Sequence, residues 1–200
     1  MKIKTIALIA ALALPLAAWG DDKPGSTYDT KTDKSADTTK ANKLADMDLQ
    51  VLAHVHHVNQ MEIDLGKMAQ KSGSTQAVKA YGQMLVRDHT SADKDLTSFA
   101  KKQGVKIPMD KPKDEADQKD MKDTKEAVAH LKTLKGNEFD TAFLSMMVQD
   151  HEKELAKLDA AMGSIENQDL ATILKDIKPA LQKHADQARD LQKTNAQAMK

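Results

Sequence analysis

Four stretches of the chain repeat apolar residues every three or four positions. That 3.6-residue period commits each of them to an amphipathic α-helix. The first stripe runs Val51, Val55, Val58, Leu65, Ala69, and the second Val78, Gly82, Leu85, Ala92, Leu96, Phe99. The third runs Phe143, Met147, Leu155, Leu158, Met162, and the fourth Leu170, Leu174, Ile177, Leu181, Ala188, Leu191. Nothing alternates with a period of two, so no sheet is expected. Aromatics make up only 3% of the chain, so the core must come from Leu, Ile, Val, Ala and 11 Met.

Turn signals separate the stripes. Lys71-Ser72-Gly73 ends the first helix, and Ser74 is placed to cap the second. Gly104 closes the second, and Pro108 and Pro112 break the chain after it. Lys113 to Lys135 is strongly charged, with Met121, Val128, Leu131 and Leu134 spaced for a modest amphipathic helix. Gly136 precedes the third main helix, and Gly163-Ser164 closes it. Pro179 falls inside the fourth stripe and should kink or break it, because it removes a backbone hydrogen bond and crowds the preceding turn. The expected fold is all-α: an antiparallel four-helix bundle over residues 44–195, with a long connection carrying a short extra helix between helices 2 and 3.

The N-terminus is of another kind. Residues 1–20, MKIKTIALIAALALPLAAWG, have two lysines, an apolar run and small residues at the end, the layout of a secretory signal peptide. The run is short for a membrane span, which needs about 20 residues, and no later stretch could cross a bilayer. Residues 21–43 are polar and low in complexity, and are expected to be a disordered linker. The protein is therefore expected to be exported, and periplasmic in a cell with two membranes. Lysines and arginines balance aspartates and glutamates at 30 each; losing the leader with Lys2 and Lys4 leaves −2. Such a balance gives no bulk attraction to nucleic acid or anionic lipid. With no cysteine, disulfides, thiolate ligands and cysteine nucleophiles are excluded.

Each stripe carries one polar residue where an apolar one would continue it: Glu62, His89, His151 and His184. Two of the histidines belong to an internal echo, MLVRDHTSADKDL at Met84–Leu96 and MMVQDHEKELAKL at Met146–Leu158. Counted from the turns, partners within a pair differ in depth by five residues, roughly 7 Å. A carboxylate and three imidazoles in a low-dielectric layer suit one divalent Fe, Zn, Cu or Mn ion. Asp88 and Asp150 each precede a histidine, and each could accept a hydrogen bond from a neighbouring ring nitrogen behind the ligands. His57, in the His54/His56/His57 cluster, could add a ligand if the helix rotates; otherwise that cluster is a solvated face. A metal-free network of hydrogen bonds that fixes helix register satisfies the same residues. Met84, Met146 and Met147 read most simply as core filler. No Ser/His/Asp set, phosphate loop or dinucleotide glycine pattern is present.

Several motifs in order resemble one bacterial family, domain of unknown function 4142. They are Met61 to Ala69, Val78-Lys79, Met84 to His89 and Ile107-Pro108, then Leu131 to Asp140, Val148 to His151, and Pro179-Ala180-Leu181 followed by His184. The resemblance spans roughly residues 44–192. It implies an exported, ferritin-like helical bundle with no settled activity, and its polar positions fall on Glu62, Asp88, His89, His151 and His184. Di-iron members of the ferritin-like superfamily carry Glu-x-x-His on two helices, and this chain has none. The functions left standing are a metal-binding exported bundle, an envelope or stress protein whose polar layer is structural, and a module that binds an unidentified protein partner. Catalysis is the weaker expectation, and the sequence does not fix an oligomeric state.

Overall fold

The computed structural model describes residues 44–198; the expected leader and linker lie outside these. Five α-helices follow in order: α1 Asp46–Ser72, α2 Gln76–Lys102, α3 Glu115–Leu131, α4 Gly136–Ala161 and α5 Gln168–Ala198, with a 3-10 turn at Met162–Ser164. The described residues contain no strand. The main packing is α1 on α2 and α4 on α5; α2 also packs on α5, and α1 on α4.

Both pairs are antiparallel. In the first, His56 of α1 meets Asp93 and Asn59 meets His89, so numbers rise on one helix as they fall on the other. In the second, Thr141 meets Asn195, and His151 meets His184. The first pair is held at close range by two glycines. A Cβ on Gly66 would lie 2.6 Å from the Gly82 carbonyl oxygen, and one on Gly82 the same distance from that of Gly66. Only hydrogen at both positions lets the backbones come this near.

Two buried aspartates tie each pair to the turn of the other. Asp140, in the first turns of α4, accepts from the Ser74 backbone N–H (2.9 Å) and hydroxyl (2.6 Å) in the α1–α2 turn. Asp48, in the first turn of α1, accepts from the N–H groups of Glu166 (3.0 Å) and Asn167 (3.1 Å) just before α5. Ser74 is thus not the cap of α2; Thr75 is, its hydroxyl accepting from the Val78 N–H at 3.2 Å. Gly104, at φ 65°, ends α2 with the Val105 N–H bonded back to Ala100 and its own N–H to Lys101, a Schellman closure. α5 continues as one helix through Pro179, so of the expected kink or break the break does not occur. Proline removes one bond, and burial of the α5 stripe on both sides of it outweighs that loss.

The core is divided. One apolar cluster includes Leu52, Val55, Leu96, Phe99, Leu158 and Leu174; the other includes Leu65, Tyr81, Leu85, Phe143, Met147 and Ala188. Between the two sets in chain order lie Asn59 and Glu62 on α1, His89 on α2, His151 and Glu154 on α4 and His184 on α5; buried Asp48 and Asp140 lie outside this layer, near the starts of α1 and α4.

Candidate metal centre

Three imidazoles meet in that dividing layer. His89, His151 and His184 are 3%, 2% and 1% exposed, and one ring nitrogen from each lies within 4.8 Å of the other two. Their ring centroids are 5.1 to 5.7 Å apart.

Each ring is held by a group that only accepts, or whose facing atom accepts, and this fixes where its protons sit. His151 Nδ1 donates to the Met147 carbonyl oxygen at 2.9 Å, so its Nε2 carries a lone pair. His89 Nδ1 donates to Asn59 Oδ1 at 2.8 Å, so its Nε2, buried and with no partner among the described residues, carries another. His184 Nε2 donates to Asp88 Oδ2 at 3.1 Å, leaving a lone pair on Nδ1, which faces His151 Nε2 at 3.2 Å. Three lone pairs therefore converge, each opposite a ring nitrogen tied to an outer acceptor. Orientation by such outer partners is how proteins prepare imidazoles for a metal.

The electrostatics keep the rings neutral. Burial, and then the nearness of His151 and His184, puts His89 well below its ordinary pKa. Burial and then His184 bring His151 down to about 3. Burial lowers His184 as well, with Asp88 pulling the other way. Asp88 stays charged: burial raises it, but hydrogen bonds from Arg87 (2.7 Å) and His184, and their charges, outweigh that. A groove of about 660 Å³ between α2 and α5 reaches His89 and His184, and Asp88, Asp95, Asp169 and Asp176 line it. Its carboxylates outnumber its one lysine, Lys102, which favours a cation.

The other sequence candidates lie elsewhere. Glu62 is buried at 2% exposure but does not complete the imidazole group; the α1 residue at that level is Asn59. Counted from Gly73, Asn59 is 14 residues back and His89 is 16 forward, so Asn59 narrows the five-residue depth difference to two. Asp88 touches His184 as expected, whereas Asp150 bonds no imidazole and its Oδ2 is buried without a partner. His57 is exposed, on the outer face of α1, too far round the helix to join the layer. Its neighbours do not form one solvated face: His56 Nδ1 meets Asp93 at 2.5 Å, and half-buried His54 bonds Glu154 and Asp110. Asn59 and Glu154 escaped the sequence reading. A polar residue at helical spacing from His89's partner stripe was the only available sign of Asn59.

Fold and site together define an all-α protein with a buried layer of three imidazoles. The chain belongs to the family described as Domain of unknown function (DUF4142), whose model matches residues 33–191. It is similar in fold to the solved structure of CopM in the Ag-bound form, at 16% identity and a TM-score of 0.57, over 74% of this chain and 96% of that one. No curated protein matches the chain. Among the described residues, no helix is long and apolar enough to cross a membrane.

Proposed function

We propose that this protein binds one transition-metal ion on His89, His151 and His184, and serves as a binding protein for that ion rather than an enzyme. The observation that carries the reading is the 3.2 Å approach of His151 Nε2 to His184 Nδ1, with both ring tautomers set against a proton between them. Two facing lone pairs repel, and a cation converts that repulsion into coordination. Three imidazoles without a carboxylate favour Cu or Zn over Fe and Mn. Glu62, the candidate from the α1 stripe, and Asp150, the residue before His151, stand apart from this set; Asp88 acts behind His184.

We further infer that α1, α2, α4 and α5 close into an antiparallel, ferritin-like four-helix bundle, with α3 as the extra helix of the long connection. Residues 44–195 would be the working domain, exported to the periplasm by the leader at 1–20 and carried on the linker at 21–43. The likeness to CopM supports the fold, and its silver puts Ag⁺ and Cu⁺ in the test panel.

The rival reading is a structural layer in which a proton joins His151 to His184; the 3.2 Å separation is also hydrogen-bond length. Elemental analysis separates the two. Protein purified without a histidine tag and incubated with Cu⁺, Cu²⁺, Zn²⁺, Fe²⁺, Mn²⁺ or Ag⁺ should retain about one equivalent of at least one ion. The His89→Ala/His151→Ala/His184→Ala variant should retain none at this site. Folded wild-type protein that retains no stoichiometric metal favours the structural layer.

A further inference from the structure

The three imidazoles are too deeply buried for an ion to meet them directly from solvent, so an ion bound there needs a way in. The groove between α2 and α5 supplies one. On α2 its lining runs from Asp88 and His89 to Lys102, and on α5 from His184 back to Asp169. At the imidazole end, His89 Nε2 and Asn59 Nδ2 are buried with no partner among the described residues, and both residues belong to the lining. A second groove, at Thr141 and Asn195, reaches none of the imidazoles.

Small side chains leave a gap beside the rings. Ala92, three residues after His89, and Ala180, four before His184, stand one turn from them on opposite walls. Both are half-buried, and a longer side chain at either place has the groove to grow into. Beyond them the walls carry carboxylates. Asp88 and Asp95 are seven residues apart on α2, as are Asp169 and Asp176 on α5, so each pair faces the same way about two turns apart. Asp88 is engaged with Arg87 and His184, whereas Asp95, Asp169 and Asp176 are exposed and enter no ion pair among the described residues. Uncompensated carboxylates on both walls of a cleft concentrate cations in it and turn anions away.

On the metal-binding reading of the imidazoles, we propose that this groove is the route by which a free, hydrated cation reaches and leaves them. Asp95, Asp169 and Asp176 draw the ion in, and Ala92 and Ala180 leave the opening it passes. None of the five is a ligand, so they set how fast the ion travels. An obstruction on the path slows entry and exit alike and leaves affinity unchanged, whereas steering charge acts chiefly on entry.

Stopped-flow mixing of the untagged, full-length chain with Cu²⁺ tests this, read by the visible absorption that copper gains on imidazole nitrogen. The phase to follow is the one that the His89→Ala/His151→Ala/His184→Ala variant lacks. Asp95→Asn/Asp176→Asn, at exposed positions, should slow association about tenfold at low ionic strength, and the difference should shrink to about twofold in concentrated salt. Asp64→Asn/Asp190→Asn removes two charges outside the groove and should load at the wild-type rate. Ala92→Leu and Ala180→Leu should each slow both loading and release into excess chelator by about tenfold, with Kd within about threefold of wild type. Wild-type rates in Asp95→Asn/Asp176→Asn, or in both alanine variants, overturn the proposal and leave the imidazole reading intact. Alanine variants that lose affinity while releasing at the wild-type rate also overturn it. A wild-type chain that lacks the phase at millimolar Cu²⁺ overturns the imidazole reading for this ion, and the route with it.

Discussion

His151 Nε2 and His184 Nδ1 face each other across 3.2 Å, and the groups behind them hold each proton on the far side of its ring. The Met147 carbonyl oxygen can only accept, and charged Asp88 competes for the His184 proton more strongly than a neutral imidazole does. The relationship follows from position. His151 and His184 come from the antiparallel helices α4 and α5, and Asp88 comes from α2, which packs on α5. With His89 and Asn59 added from α2 and α1, all four long helices contribute to one layer.

Metal affinity should be nearly independent of pH between 7.5 and 5.5. Burial lowers all three imidazole pKa values, that of His151 to about 3, so the folded rings stay neutral as pH falls through 6.5 and protons do not compete with the ion. Three exposed imidazoles with ordinary pKa values would lose affinity by about 1,000-fold over that interval. Calorimetric titration at pH 7.5, 6.5 and 5.5, corrected for buffer protonation, distinguishes a flat profile from that loss.

Asn59→Leu should weaken metal binding by about 10- to 100-fold while leaving the three ligands in place. The change removes the acceptor that holds His89 Nδ1 at 2.8 Å and with it the preference for a lone pair on Nε2. Competition against a chelator of known affinity reads the effect. A variant that binds as tightly as wild type would show that Asn59 does not orient the ring.

Gly82→Ala should destabilise the protein by about 1–3 kcal/mol, because the added methyl forces α1 and α2 apart. It would lie 2.6 Å from the Gly66 carbonyl oxygen and 2.7 Å from the Ala69 Cβ, with backbone on one side and a packed methyl on the other. Chemical denaturation followed by circular dichroism measures the change; Gly163→Ala, where a Cβ meets nothing within 4 Å, is the control.

Asp140→Ala should cost about 2–3 kcal/mol, since it strips the Ser74 N–H and hydroxyl of a charged, buried acceptor at a partly buried helix junction. Its effect and that of Asp48→Ala should add, because the two tie different pairs of elements with no shared partner. A double-mutant cycle by denaturation tests this additivity.

Much of the fold was written in the apolar stripes. Their period placed the four long helices, and glycines at 104 and 136 marked ends that the structure confirms with positive φ. The three histidines stood out because each interrupts a stripe that would otherwise be apolar. What the sequence could not show was long-range pairing. Asp48, Asp140 and Glu154 look like surface acids on helices rich in charge, yet each is buried against a partner far along the chain. Ser74 is a good cap by type, but Asp140 from α4 takes its hydroxyl, and Thr75 caps instead. Glu62 sat in the stripe of α1 and was read with the histidines; helix depth gives that level to Asn59. A stripe specifies a face, and the level along it depends on how the helices cross.

X-ray absorption at the metal edge of zinc- or copper-loaded, untagged protein tests the central claim most directly. The account predicts a first shell with about three imidazole nitrogens at about 2.0–2.1 Å and the multiple-scattering pattern of histidine rings. A first shell made only of oxygens, or with a single imidazole, would contradict it.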